Sequence, residues 1–506
     1  MQQLRGTARW AGLAWVLAAV ATAKADLLEF RAGGSVEMRA HIDGDLVHLE
    51  TPGGRFTFTR RDFRRIEPGP WPERDWEAVA RRAASGNLDE KLAAARWALN
   101  QGLTREAVEL VRGIHAEDAT HEPAARMATV LEQLARPLPD PDLAAVRAVL
   151  PGEFRVSRGP HVVVFHQHED AEAHERVETL ENVITSFHLE FAALGFELRP
   201  LESRLVSVWI AERSDYLAYL EADGAAAFRA TRGYHHPTRR IVITYDARSD
   251  GELQRRLEAI AARRAQLAEL ATLIDTAPRG AGIRLPELGA AAKTLPPHAA
   301  RRALEAWTRD TDREALLVEL AYRRLNLAPA AHETVHQLVV ASGLAERQAD
   351  FPAWLNEGLA MQFEAMRGGR WGGLGTPSSL RLEHWQSLAR PPVLSRVLAD
   401  DGLGPGAGRD AYAAAWAWVY FLRQAHPDTW RTIIDRLRLP SSSSAAAKDR
   451  ARQAVLDPPD RTLHDWERAW LSFMRDAVRS QHVARAGKPQ ARATSAERRL
   501  TGTTRM

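Results

Sequence analysis

The sequence predicts an α+β protein of several packed units, on three observations. Near the N-terminus, short apolar stretches alternate with polar residues between glycine turns. In the middle, β-branched runs such as Val162 to Phe165 and Ile241 to Tyr245 are separated by segments of helical period. Around these lie long stretches rich in Ala, Leu and Arg that read as helices. At 506 residues the chain exceeds one ordinary core, so roughly two to four units are expected.

Residues 1–25 stand apart. Arg5 and Arg9 precede an apolar run from Trp10 to Ala23, and Ala23-Lys24-Ala25 supplies a small-x-small pattern before Asp26. The expectation is a cleaved secretory signal and a mature protein that is exported, periplasmic or extracellular. The run falls short of the roughly 20 residues that span a bilayer, so no stable membrane insertion is expected after cleavage. The formal charge of +3 resides in Arg5, Arg9 and Lys24, because segment 1–25 has no Asp or Glu. The mature chain is formally neutral, which argues against a nucleic-acid partner. With no cysteine, disulfides, thiolate metal sites and cysteine nucleophiles are excluded, and a metal would rest on His and carboxylate.

In chain order, residues 26–70 read as a small antiparallel β module of SH3-like size, with turns at Asp43-Gly44 and Gly53-Gly54. Residues 71–150 read as helical, with one legible repeat of tetratricopeptide type. The mixed segment 151–425 holds strands at 162–165, 205–210 and 241–245 and a long helix through Leu180, Ile184, Phe187 and Phe191. Within it, 251–325 reads as a helical insertion with a Gly/Pro-rich loop around Gly280 and Pro286. Helices are expected over 426–484, interrupted by a linker at Ser441 to Ser444, and a disordered basic tail over 485–506.

The chemistry concentrates after Pro329. His332 and His336 lie four apart, hence side by side on one helix face, with Glu333 between them. Proline near the first position and Gly343 beyond the last apolar residue suggest a helix of about four turns. Two imidazoles so spaced can share a tetrahedral zinc, leaving room for a third ligand and a water, and the intervening glutamate can act as base. A second helix follows at Phe351 to Glu364, again opened by a proline. A connection of about eight residues would let the two helices fold back on each other and bring Glu357 over the histidines as third ligand. The competing carboxylates Glu346 and Asp350 fall in the connection. Glu364, two turns beyond Glu357, is either a carboxylate that orients a histidine or a solvated residue at the helix end.

Together, His332-Glu333-Thr334-Val335-His336 and Asn356-Glu357-Gly358-Leu359-Ala360 resemble the gluzincin zinc peptidases, and more closely the bacterial exported peptidase-MA-like proteins. The resemblance covers roughly 155–425. It implies a zincin-type catalytic domain, Zn2+ as cofactor on His332, His336 and Glu357, Glu333 as general base, and a peptide or protein substrate. It also implies that the helix containing Tyr412 carries a tyrosine that stabilises the transition state; packing beside Trp416, Trp418 and Tyr420 is the alternative. The strand Ile241 to Tyr245 would correspond to the edge strand that pairs with substrate; an ordinary sheet strand is the alternative. The spacing from His336 to Glu357 is slightly longer than usual in the family, and no exopeptidase motif is visible upstream. A metzincin is excluded, because Val339 and Ser342 stand where Gly and His are required. His235-His236 and the group His161, His166 and His168 are assigned to structure or surface. The alternatives to a peptidase are a binding protein on the same scaffold and a zinc amidohydrolase acting on cell-wall peptides.

Overall fold

A computed structural model describes residues 26–482, apart from 68, 70, 279–280, 285–293, 348–349, 401, 405–407, 439–442 and 457–460. The signal-like segment, the basic tail, Gly280, Pro286 and the first half of the Ser441 to Ser444 linker lie outside the described residues. The fold is α+β. No helix among the described residues is long and apolar enough to cross a membrane.

The N-terminal strands are β1 Leu27–Phe30, β2 Ser35–Glu37, β3 Ala40–Asp43, β4 Leu46–Thr51, β5 Gly54–Thr59 and β6 Phe63–Glu67. They form two three-stranded antiparallel sheets, β2-β1-β6 and β3-β4-β5. Only the second is the meander expected from the turns. The apolar run from Val36 to Ile42 divides between the sheets because Asp26 captures its middle: its backbone oxygen accepts from Met38 N–H at 3.1 Å and its carboxylate from Ala40 N–H at 3.0 Å. Both sheets contribute to one core, where Phe30 packs on Phe58 and Phe63.

Four helices follow, α1 Pro72–Ala84, α2 Leu88–Asn100, α3 Thr104–Glu117 and α4 Glu122–Leu134, then the short α5 Leu143–Arg147. Asn87 and Glu90 cap α2 reciprocally, fixing where it starts. Successive members of the four helices pack on one another.

The central sheet contains β7 Arg155–Arg158, β8 Val162–His166, β9 Leu205–Ile210, β10 Gly233–His236 and β11 Ile241–Tyr245, in the order β10-β11-β9-β8-β7. Its three inner strands are parallel and both edges antiparallel. Strands buried on both faces need helices on each. Val163, Phe165, Val208 and Ile243 pack with α7 Arg213–Ala222, while Val162 and Val164 share the main core with α6 Asp170–Ala193. One expectation is overturned here. Ile241 to Tyr245 is an inner strand paired on both sides, and the edge strand beside the helix that bears His332 and His336 is β10.

A second correction concerns the insertion. After α8 Gly251–Thr276 and the two-residue strands β12 Ile283–Arg284 and β13 Thr294–Leu295 comes α9 Pro297–Ala341, one helix of 45 residues with Pro329 inside it. Pro329 therefore does not open a four-turn helix, and the end of 251–325 runs without a break into the helix that bears His332 and His336. An interior proline forfeits a hydrogen bond and costs ~3 kcal/mol. Here packing on both sides of it holds the helix together. Upstream, Leu316 enters the N-terminal β core, and Glu319 accepts from Thr51 Oγ1 at 2.6 Å and Gly53 N–H at 3.1 Å. Downstream, Ala330, Ala331, Val335, Leu338 and Val339 join the main core with α6.

The remaining elements are α10 Ala353–Ala360, the hairpin β14 Met366–Arg367 and β15 Arg370–Trp371, α11 Ser379–Ser387, α12 Leu394–Leu398, α13 Arg409–Ala425, α14 Pro427–Leu437, α15 Ser444–Leu456 and α16 Leu463–His482. Buried Trp416, Trp418, Trp430, Trp466 and Trp470 tie this C-terminal layer to the main core.

Candidate metal centre

The last turns of α9 lie against β10 and β11. Val335 and Val339 of these turns enter the core, and His332 and His336, on the same face, are buried beside them. Gly343 ends the helix with φ +68, a left-handed conformation that favours glycine. The connection 342–352 is longer than the eight or so residues expected, and it returns the chain so that α10 packs on α9 and against α13. A β-carbon on Gly358 would stand 2.9 Å from the Ala415 carbonyl oxygen, so α10 needs a glycine there to approach α13 this closely. That approach places Glu357 above the two histidines.

His332 Nε2 lies 3.1 Å from His336 Nε2 and 3.2 Å from Glu357 Oε2, and His336 Nε2 lies 3.6 Å from Glu357 Oε1. Donor atoms at the corners of a tetrahedron with bonds of about 2.0 Å stand about 3.3 Å apart, so the three side chains fit one small cation. Among the described residues they are the only such group of His, Asp or Glu.

The far side of each imidazole supports this use. His332 Nδ1 lies 2.8 Å from Glu364 Oε1, and His336 Nδ1 lies 3.2 Å from Asn356 Oδ1. Each Nδ1–H donates to an oxygen, so each Nε2 faces inward, where its lone pair becomes available to a cation that displaces the proton. Glu364 is buried and receives Arg381 through both Nε and Nη2, each at 2.8 Å. Of its two alternatives, the structure selects the carboxylate that orients a histidine.

The electrostatics favour positive charge at this point. Burial disfavours the charged form of His332, yet its hydrogen bonds to Glu357 and Glu364 outweigh it and hold the imidazole up to about 10, so a cation entering here would take the place of the Nε2 proton. Burial likewise opposes the Glu364 carboxylate, and Arg381 with His332 holds it down to about 2. Glu357 is lowered against burial by the two histidines.

Glu333 is directed from α9 toward the edge strand. A β-carbon on Gly233 would lie 2.7 Å from Glu333 Cγ, so glycine in β10 makes room for this side chain. The His235 backbone N–H donates to its carboxylate. Burial nevertheless pushes the Glu333 pKa up, against the pull of His332 and His336. A raised carboxylate is matched to accepting a proton and passing it on.

Tyr412, in the first turn of α13, is half-buried beside this group. Burial raises its hydroxyl pKa, and the negative charges of Glu357, Glu333 and Glu364 raise it further. Its ring lies 5.7 Å from the Arg381 guanidinium carbon.

Of the five residues singled out in the sequence, His332, His336 and Glu357 come together, while Glu333 and Tyr412 lie near enough to feel the charge of Glu357. The competing carboxylates lie elsewhere, Glu346 3.5 Å from Arg199 and Asp350 buried against Arg347. The other histidines serve structure. His161 bonds Glu181, His166 bonds Ser157, His168 bonds Asp246, and His236 faces Asp223 at 3.2 Å. Sequence reasoning missed Asn356 as an orienting group, although it adjoins Glu357, and missed Arg381 and Gly233, whose roles depend on distant partners.

An α+β chain with a two-histidine, one-glutamate site is the class that fold and geometry define. Residues 326–441 match the model of a family described as a protein of unknown function (DUF1570), a stretch that includes every residue from His332 to Tyr412 but less than half of the chain. No curated protein and no solved structure matches the chain.

Proposed function

We propose that this chain is an exported zinc-dependent metallopeptidase of the gluzincin type, hydrolysing peptide bonds with Glu333 as general base. The observation that carries the reading is the convergence of His332 Nε2, His336 Nε2 and a Glu357 oxygen at 3.1 to 3.6 Å, with both Nδ1 positions hydrogen-bonded from behind. A zinc ion held there would supply Lewis acidity, making a water nucleophilic near neutral pH.

The rest falls to the chain itself. Glu333, one residue after His332 and hydrogen-bonded by the His235 N–H, takes the proton of the attacking water and returns it to the departing amine, so its charge is restored each cycle. Tyr412 keeps its proton near neutrality and can donate a hydrogen bond to the oxygen on which charge develops. The edge strand β10, beside Glu333, replaces 241–245 as the strand available to an extended peptide. Export rests on the sequence of residues 1–25.

The deciding experiment measures zinc content of the purified mature protein and compares wild type with Glu333→Gln on a mixed peptide library. About one zinc per chain in both, with cleavage by wild type alone, is expected. Zinc without cleavage by either favours a binding protein, and cleavage confined to cell-wall peptides favours the amidohydrolase. A wild type that binds no zinc removes the site assignment.

A further inference from the structure

We infer that Arg381, on α11, is a positioning residue that fixes two parts of the site at once: the Glu364–His332 pair and the ring of Tyr412. The inference rests on the metal-site reading above for its first half only.

Glu364 is buried, and its single imidazole partner does not satisfy two carboxylate oxygens. Arg381 meets both in a planar two-point contact, Nε to Oε2 and Nη2 to Oε1, each at 2.8 Å. That geometry fixes the rotation of the carboxylate, and with it the direction in which Oε1 accepts from His332 Nδ1–H. The same guanidinium lies over Tyr412, 5.7 Å from the ring centroid, in the attractive orientation of a cation on an aromatic face. Its side chain is 20% exposed. Because α11 packs on α13, one residue links the α9–α10 half of the site to the helix that bears Tyr412. Lysine can supply the charge but neither the two-point contact nor the stacked plane.

The test has two arms. The first measures zinc affinity by chelator competition in wild type, Arg381→Lys, Arg381→Met, Glu364→Gln and the double variant Arg381→Met with Glu364→Gln. Arg381→Met should weaken binding about 10- to 100-fold, and lysine should restore only part of it. In the Glu364→Gln background, Arg381→Met should add less than about threefold, because its route to His332 is already cut. Wild-type affinity in Arg381→Met, or full additivity in the double variant, overturns this half.

The second arm needs no metal. The seven tyrosines are labelled with 3-fluorotyrosine, and the Tyr412 fluorine resonance is identified by its loss in Tyr412→Phe. Arg381→Lys and Arg381→Met should move that resonance and leave Tyr219, remote on α7, in place. An unmoved Tyr412 signal overturns the second half. Unchanged tyrosine signals elsewhere show that each variant is folded. Should wild type bind no zinc, the metal reading fails while this arm still decides the link to Tyr412.

Discussion

Two buried histidine and carboxylate clusters flank the C-terminal half of α9, and they are wired in opposite senses. At the candidate metal centre, lone pairs of His332, His336 and Glu357 point toward a common centre while the N–H donors point away from it. Around Asp246, donors converge on one carboxylate instead: His168 Nε2 at 2.9 Å, Arg248 Nε at 2.8 Å, the Arg248 backbone N–H at 2.7 Å and Asn326 Nδ2 at 3.4 Å. Fully buried Arg176 lies nearby over the Trp209 ring. A carboxylate already saturated with donors has nothing to offer a cation. The lesson is that residue types alone do not separate a metal site from a structural one, whereas the balance of lone pairs and hydrogens facing the centre does.

The largest expected effect breaks the first cluster. His336→Ala removes one of three ligand atoms and should weaken zinc binding by more than about 100-fold, beyond the effect of losing an outer partner. Glu333→Gln should keep the metal and lower kcat by roughly 100- to 10,000-fold. Equilibrium dialysis with steady-state kinetics on one cleaved peptide reads both. If Glu333→Gln loses zinc as completely as His336→Ala, then Glu333 is holding the site together and is not the base.

The complementary substitution sharpens the contrast. Asp246→Ala leaves His168 and Arg248 buried without their partner and should cost about 3–5 kcal/mol in urea unfolding, while zinc affinity changes less than about threefold. The pH dependence follows from the same cluster. Against the cost of burial, hydrogen bonds from His168 and Arg248 hold the Asp246 pKa down to about 2, from 3.8 when unfolded. A carboxyl depressed on folding adds stability that is present above pH 3.8 and lost as pH falls toward 2, about 2 kcal/mol in all. Acid unfolding of Asp246→Ala should lack that portion of the slope.

The contrast also explains which parts of this architecture were legible in the sequence. His332, Glu333, His336 and Glu357 are close in sequence, and helical spacing with a short connection is enough to bring them together. Glu364 was visible as a candidate for the same reason. Arg381 comes 17 residues after Glu364 and reaches it only through the packing of α11, for which no local pattern exists. The edge strand was misassigned because Ile241 to Tyr245 is the more strongly apolar run, and strong apolarity marks an inner strand, whereas β10 reads Gly-Tyr-His-His. Pro329 misled for a related reason. Its local preference is to start a helix, and the β core bound to Leu316 and Glu319 overrides that preference from outside the segment.

The smallest effect tests whether another histidine, His161, belongs to the structural kind. Its Nδ1 lies 2.5 Å from Glu181 Oε2 and its Nε2 lies 2.7 Å from the Leu134 carbonyl oxygen. Both neighbours only accept, so both ring nitrogens must carry hydrogen, and the satisfied form is the imidazolium. Burial opposes that charge and Arg204 adds to the opposition, but the Glu181 bond and charge with the Leu134 carbonyl outweigh them and raise the pKa above 6.5. The bond to Leu134 joins the end of α4 to the central sheet, so protonation fastens the helical region to that sheet. A histidine raised on folding contributes stability that is complete below pH 6.5 and lost as pH rises through its folded value. His161→Gln should therefore cost on the order of 1 kcal/mol at pH 6, read from urea midpoints, and the gap to wild type should narrow as pH rises. A gap that stays constant with pH would mean that neutral His161 serves equally well.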